Sequence, residues 1–125
     1  MVLTQSVIRQ HFEALQRGDA DKIAALLADD FIQDWPQSGE RVRGREACVR
    51  IYTNYPGGGP TVTLKRILGS GDVWVVEANA DYSGRPVQMV AILEFRNDAL
   101  VHETDYFADP FEAPAWRMQW VEQIP

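Results

Sequence analysis

The sequence is poor in the residues that build disulfides, metal sites and contacts to anionic partners. It has one cysteine, Cys48, and two histidines among 125 residues. A single cysteine cannot close an internal disulfide and has no partner at metal-ligand spacing, so Cys48 is interpreted as a structural thiol in a reducing compartment. Twelve basic residues against 18 acidic ones give a net charge of −6 with no basic run. This balance argues against nucleic acid and anionic membrane surfaces as partners.

Long apolar runs are also missing. No stretch approaches the roughly 20 residues that cross a bilayer, and the first residues, MVLTQSVIRQ, lack the basic start and apolar run of a secretory signal. We therefore expect a cytoplasmic protein. No phosphate loop is indicated either, because the run of three glycines from Gly57 to Gly59 follows a helix rather than a strand. We expect neither a metal nor another cofactor.

Helical periodicity is present in the first half of the chain. With 46% apolar residues, residues 1–125 can form one domain around one core. The spacing predicts a helix from about Thr4 to Arg17, a second one that Asp19 caps and the pair Asp29-Asp30 ends, and a third one after Gly44 to about Tyr55. On the first of these, four positions share a face: Ile8, His11, Phe12 and Leu15.

Alternating patterns predict strands after these helices. A short strand from Phe31 to Trp35 precedes the third helix, and four more follow it: Thr61 to Leu68, Val73 to Tyr82, Pro86 to Arg96 and Leu100 to Phe107. The predicted hairpin turns between these four are Gly69-Ser70-Gly71-Asp72, Ser83-Gly84 and Asn97-Asp98. Helices first and hairpins second predict an α+β domain, in which a curved antiparallel sheet wraps around the N-terminal helices. The tail from Ala108 to Pro125 is too aromatic for a disordered end. We expect it to pack across the sheet or onto a second subunit.

Two ionisable side chains take positions that the pattern assigns to the interior. His11 lies in the apolar stripe of the first helix, and Asp34 shares a strand face with Ile32. Burying such groups without partners is costly, so both are expected to face one polar pocket. In the plainer alternatives, His11 bonds a backbone group at the edge of the stripe and Asp34 caps the turn at Pro36.

The strand from Val73 to Tyr82 permits two readings. Glu77, Asn79 and Asp81 share one face of it. In an ordinary antiparallel strand that polar face points to solvent. In the other reading it lines the pocket and brings Asn79 and Asp81 to a site.

On the last strand, Asp105 and Phe107 share a face and His102 takes the opposite one. If Asp105 points inward, His102 lies on the outer face of the sheet or at a dimer contact. Aromatic residues mostly fill cores and interfaces. Among them, Tyr52 is the preferred candidate for a pocket residue.

The order of these elements carries a family resemblance. The string HFEALQRGDADKIAALLADDF before the first strand, and RGREACVRIYTNYP after it, resemble the NTF2-like superfamily and specifically its SnoaL-like members. The resemblance covers nearly the whole chain. It implies a cone with one open end whose cavity holds an apolar small molecule, a fold that hosts many unrelated activities.

One group within that superfamily, ketosteroid isomerase, has a tyrosine on the first helix and a catalytic aspartate before a proline on the first strand. By resemblance, His11 takes the tyrosine's place as donor and Asp34 the aspartate's as base. The family's third residue, a protonated aspartic acid, falls near Ala91.

A second group, limonene-1,2-epoxide hydrolase, is similar at three strands. Asp81 and Asp105 match its two catalytic aspartates, and Asp34 stands in place of an asparagine. Ile32 stands where that group has a water-binding tyrosine, and Asn79 where it has an arginine. Without the arginine, two buried carboxylates raise each other's pKa. The polyketide cyclases of the SnoaL-like group use an aspartate that Asp105 or Asp34 would supply.

The leading hypothesis is a cofactor-free enzyme that transfers protons on a small apolar carbonyl compound, as an isomerase or cyclase does. Asp34 and His11 are its predicted base and donor, with Asp105 and Asp81 as auxiliary groups. The predicted pocket residues are Ile32, Tyr52, Asn79, Ala91 and Phe107. The alternatives are a non-catalytic ligand-binding or dimerisation module and an epoxide hydrolase. A homodimer is expected, because such cones leave one sheet face to be covered by a partner.

Overall fold

The computed structural model describes residues 2–125. Its helices and strands, in chain order, are α1 (Gln5–Arg17), α2 (Ala20–Leu26), β1 (Leu27–Trp35), β2 (Glu40–Arg43), α3 (Arg45–Thr53), β3 (Thr61–Ser70), β4 (Val73–Tyr82), β5 (Arg85–Arg96) and β6 (Ala99–Ala108). Short 3-10 segments cover Pro56–Gly58 and Ala115–Trp120. Among residues 2–125, no helix is long and apolar enough to cross a membrane.

The first two helices begin and end where their flanking residues favour it. The Thr4 side chain accepts the Val7 backbone N–H at 3.2 Å, and Gly18 ends α1 in the left-handed region with φ of 65°. Asp19 then accepts the Lys22 N–H at 3.3 Å as the cap of α2. Side-chain acceptors at these positions satisfy amide groups that a helix start leaves without partners, so the predicted cap at Asp19 is confirmed.

The six strands form one curved, unclosed sheet in the order β2-β1-β6-β5-β4-β3. Neighbouring strands are antiparallel except β1 and β6, which run parallel, a pairing the sequence pattern did not predict. The tight turns at Ser83-Gly84 and Asn97-Asp98 place both residues at positive φ, as two-residue hairpin turns require. The predicted hairpins are therefore confirmed, and the fold is α+β as expected.

The sequence pattern misplaced the start of the sheet. Asp29 and Asp30 were expected to end the second helix, but β1 already begins at Leu27. The short strand β2 was missed and pairs with the end of β1, Trp35 opposite Glu40. At four residues it carries too little alternation to be recognised.

The helices cover one face of the sheet and leave the other open. The inward face is continuous with the core that α1 and α2 build with Ile8 and Ile23, both 0% exposed. The outer face shows exposed apolar side chains: Leu68, Val73, Val90 and Tyr106. In the tail, Phe111 and Trp116 are 82% and 73% exposed, so the expectation that the tail packs across its own sheet is wrong.

Candidate functional site

A cavity of about 730 Å³ lies between the helices and the inward face of the sheet. Its largely apolar wall includes side chains from α1, β1, α3, β5 and β6: Phe12, Leu15, Trp35, Tyr52, Met89 and Phe107. Exposed residues of the turn after β1 and of the loop from Pro56 to Pro60 line its outer part. The cavity therefore opens to solvent at that end, as a ligand pocket does.

A pair of carboxyl groups lies where β1 and β6 form the cavity wall. Asp105 lines the cavity, and Asp105 and Glu103 are only 1% and 2% exposed. Gln33 lies opposite Glu103 in the β1–β6 register. Its Nε2 donates to Asp105 Oδ2 at 2.6 Å and lies 3.3 Å from Glu103 Oε2. Both carboxyl groups face inward because residues two apart on a strand point the same way.

Two aromatic side chains complete this polar group. Trp35 Nε1 donates to the same Asp105 oxygen at 3.1 Å. The Tyr52 hydroxyl, which comes from α3, accepts from Gln33 Nε2 at 3.0 Å. Because it accepts there, its own O–H hydrogen can be donated to a molecule in the cavity, which Tyr52 lines.

The environment keeps most of these groups uncharged. Burial, strengthened by the neighbouring Asp105, raises the pKa of Glu103 well above its usual range. Burial also raises the pKa of Asp105, but hydrogen bonds from Glu103, Gln33 and Trp35 oppose that rise. The negative charge of the pair is therefore best placed on Asp105. Burial likewise raises the pKa of Tyr52, so its hydroxyl stays protonated at neutral pH.

The other oxygen of Asp105, Oδ1, is buried and has no hydrogen-bond partner. A buried acceptor without a partner is uncommon and costly in a folded protein. Since Asp105 lines the cavity, its carboxylate is the natural contact for a proton or donor group of a ligand. Within residues 2–125, no three His, Cys, Asp or Glu side chains are grouped as a metal ion would need.

His11 is buried on α1, 4% exposed, but it is not among the side chains that line the cavity. Its ring packs edge-on against Phe12, and its Nδ1 has no hydrogen-bond partner. Burial lowers the pKa of His11 to about 4. The imidazole is therefore neutral at pH 7, and because it does not line the cavity, the expectation that His11 is the donor there is wrong.

Asp34 lies on the outer face of the sheet, away from the cavity. Arg41 binds both of its carboxylate oxygens, at 2.7 and 2.9 Å, and His102 Nε2 lies 2.9 Å from Oδ2. The hydrogen bonds from Arg41 first, and from His102 second, lower the pKa of Asp34 to about 2. A carboxylate held in this way is a weak base, and His102 lies on the outer face as expected.

The predicted orientation of β1 is wrong because the apolar residues on its two faces were weighed incorrectly. Ile32 was expected to point inward beside Asp34, but Phe31 and Gln33 are the buried positions, each 1% exposed. Phe31 buries more apolar surface than Ile32 would. Gln33 finds its partners only on the inward side. A strand with apolar residues on both faces leaves its orientation to packing.

The polar face of β4 lies on the outer side of the sheet, so the reading that placed it in the pocket is wrong. Asn79 lies on the outer face, and Asp81 is exposed and accepts the Gly84 N–H at 2.9 Å in the hairpin turn. Neither can belong to the cavity. Ala91 is buried on the inward face opposite Asp105, but it is not among the cavity-lining residues.

The cavity brings together three of the residues singled out from the sequence: Tyr52, Asp105 and Phe107. Sequence reasoning missed Glu103, one of the two carboxyl groups, and Gln33 and Trp35, which donate hydrogen bonds to the pair. Their spacing in the sequence does contain a signal. Gln33 and Trp35 are two apart on one strand, as Glu103 and Asp105 are on another, so each pair shares a face.

An α+β cone with hydrogen-bonded polar side chains in the wall of a largely apolar cavity is typical of folds that bind small molecules. Within this class, residues 8–103 match the model of the SnoaL-like domain. The chain belongs to the SnoaL-like family of the NTF2-like superfamily. Curated proteins give no match to it.

Solved structures share the fold over most of their length. An NTF2-like protein of unknown function from Burkholderia xenovorans LB400 is 45% identical over 97% of this chain and 94% of its own, with a TM-score of 0.85. A Kribbella flavida DSM 17836 protein, provisionally called a ketosteroid isomerase, is 30% identical over 97% and 89%, with a TM-score of 0.88. An LEH-like epoxide hydrolase from M. tuberculosis is 22% identical over 82% of this chain and 80% of its own, with a TM-score of 0.67.

Proposed function

We propose that this chain is a cofactor-free enzyme that uses Asp105 as a general base for proton transfer on an apolar carbonyl compound, in an isomerase or cyclase type of reaction. The observation that supports this most is the arrangement of the Asp105 carboxylate. Trp35 and Gln33 hold Oδ2, while Oδ1 is buried and unpartnered in a carboxylate that lines the cavity. Asp105 thereby replaces Asp34 as the base, and Tyr52 replaces His11 as the donor.

The chemistry follows from these two groups. The Asp105 carboxylate takes a proton from the carbon next to a carbonyl, and the electrons of that C–H bond move onto the carbonyl oxygen. The Tyr52 O–H donates a hydrogen bond to the oxyanion that forms. Asp105 then returns the proton to another carbon. Tyr52 Oη and Asp105 Oδ2 both lie within 3.0 Å of Gln33 Nε2, so one small substrate can reach both residues.

Exchange of carbon-bound hydrogen tests this role without a known substrate. The protein is incubated in D2O with a panel of cyclic and unsaturated ketones, and deuterium uptake next to the carbonyl is followed by NMR. Asp105→Asn should lower the exchange rate about 100- to 10,000-fold, the usual worth of a general base. Asp34→Asn is the matched control and should exchange at the wild-type rate, because Asp34 lies outside the cavity.

If the ranking is reversed, with Asp34→Asn inactive and Asp105→Asn active, the proposed base is wrong. Ligands that bind in the cavity of the wild-type protein without any exchange would instead identify a non-catalytic binding module.

Epoxide hydrolysis is a second candidate, and the two polar groups of the cavity wall, Asp105 and Tyr52, favour it. An ionised Asp105 would activate a water molecule as a base, and the Tyr52 O–H would donate to the epoxide oxygen. Diol formation from simple cyclic epoxides, lost in Asp105→Asn, would support it. Absence of diol from every epoxide that binds would reject it.

The assembly and location of the protein are also proposals. We infer a cytoplasmic homodimer that binds an apolar small molecule. The exposed apolar side chains of the outer sheet face, among them Val73 and Val90, support a dimer. The single buried thiol, Cys48, suits a reducing compartment.

A further inference from the structure

Glu103 is buried next to Asp105 but does not itself line the cavity. We propose that Glu103 is a positioning residue, which holds the single proton of the carboxyl pair and so keeps the negative charge on Asp105, the member of the pair that lines the cavity. The inference rests on the proposed function of the cavity. The protonation of the pair can nevertheless be tested without any substrate.

The surroundings of the pair provide no countercharge. Across the β5–β6 pairing, Leu93 stands opposite Glu103 and Ala91 opposite Asp105, so β5 contributes apolar neighbours. No Lys or Arg of residues 2–125 forms an ion pair with either carboxyl group. Ionising both carboxyl groups in an apolar environment without a countercharge costs much free energy, so one of them keeps its proton.

The groups that α3 turns toward the pair are neutral as well. Burial, with the negative pair nearby, raises the pKa of Cys48 to about 12 and that of Tyr52 well above its usual range. On β1, the side chains of Gln33 and Trp35 do not ionise. The charge of this group at neutral pH therefore comes from the carboxyl pair alone.

The hydrogen-bond donors decide which carboxyl group is ionised. Asp105 Oδ2 receives Gln33 Nε2 at 2.6 Å and Trp35 Nε1 at 3.1 Å, whereas Glu103 has Gln33 alone at 3.3 Å. An amide nitrogen has only two hydrogens, and Gln33 also contacts Tyr52 at 3.0 Å. The anion with more hydrogen-bond donors is therefore Asp105.

When Asp105 accepts a proton from the substrate, the pair holds two protons and is neutral, and the negative charge lies on the substrate oxygen near Tyr52. Return of that proton restores the starting state. Glu103 keeps its proton throughout and exchanges no proton with the substrate.

Carboxyl carbon NMR on protein labelled with ¹³C in Asp and Glu measures the pair directly. In the wild type we expect two ionisation steps more than about one pH unit apart, with Asp105 ionised and Glu103 protonated at pH 7. Glu103→Gln should lose the upper step and keep that of Asp105. Asp105→Asn should move the Glu103 step to lower pH, because the negative neighbour is gone. Glu112→Gln, an exposed site in the tail, is the control and should change neither step.

Two carboxylate signals from this pair at pH 7, or two acid signals, would overturn the inference whatever the enzyme does. If Glu103→Gln does not fold, the titration of Asp105→Asn decides by itself, and an unmoved Glu103 step would be the contrary result. A shared proton without any deuterium exchange would leave the pair as inferred and reject the proposed function. With both correct, the pH profile of exchange shows two steps in the wild type and one in Glu103→Gln.

Discussion

At the scale of single residues, removing the Tyr52 hydroxyl tests its role in catalysis without changing the packing of the ring. Tyr52→Phe keeps the ring in the cavity wall and removes only the O–H. We expect the rate of deuterium exchange to fall roughly 10- to 1000-fold, as when one oxyanion donor is lost, with far less change in ligand affinity. Tyr106→Phe removes an exposed hydroxyl on the outer face and is the control. Equal rates in the two variants would exclude a role for the Tyr52 hydroxyl.

His11 makes the free energy of unfolding depend on pH. Its pKa is about 4 in the fold and 6.5 in the unfolded chain, so between these values the unfolded chain binds more protons. Stability from His11 is thus fully present above pH 6.5 and is lost as the pH falls toward 4, by about 3 kcal/mol in all. Urea unfolding at pH 7 and pH 4.5 should show a smaller difference for His11→Leu than for the wild type.

A matched variant on the same helix face, Leu15→Met, removes no titratable group and should keep the wild-type pH dependence. If the free energy of unfolding of His11→Leu falls between pH 7 and pH 4.5 as much as that of the wild type, then His11 does not titrate in this range.

At the scale of elements, the hairpin between β3 and β4 depends on Gly69. Its φ is +139°, and an added Cβ would lie 2.5 Å from the Val73 carbonyl oxygen and 2.8 Å from the Trp74 Cα. Gly71, in the turn itself, has φ of +62° and open space around a Cβ. We expect Gly69→Ala to lower the free energy of unfolding by about 1–3 kcal/mol more than Gly71→Ala does. Urea denaturation of both variants measures this, and equal losses would show that the hairpin adjusts.

The strands also show when a sequence pattern can predict which face of a strand points inward. On β4 the pattern left two orientations open, and on β6 it placed Asp105 and His102 on opposite faces. The outward position of His102 therefore followed once Asp105 was taken as inward. On β1, both faces carry apolar residues, Phe31 on one and Ile32 on the other. Alternation alone could not decide between them, and the wrong choice moved Asp34 into the predicted pocket.

At the scale of the whole molecule, the apolar side chains that remain exposed predict an assembly. Val90 lies on the outer face of the sheet and is 37% exposed. Placing a charge there should weaken a sheet-to-sheet contact, because a buried, unpaired charge is costly. We expect the wild type to sediment as a dimer and Val90→Lys as a monomer at the same concentration. Val2→Lys adds the same charge at an exposed site near the N-terminus and should stay dimeric; a monomeric wild type would contradict the prediction.

The sequence by itself determined the order of helices and hairpins, the cap at Asp19, the two-residue turns and the family, because these depend on residues close together in the chain. It also placed Asp105, Tyr52 and Phe107 at a cavity. Only the tertiary structure decided which carboxyl groups meet. The contact between Gln33 and Asp105 spans 72 residues and depends on the parallel pairing of β1 with β6. That pairing arises from packing the whole sheet against the helices, and no local pattern encodes it.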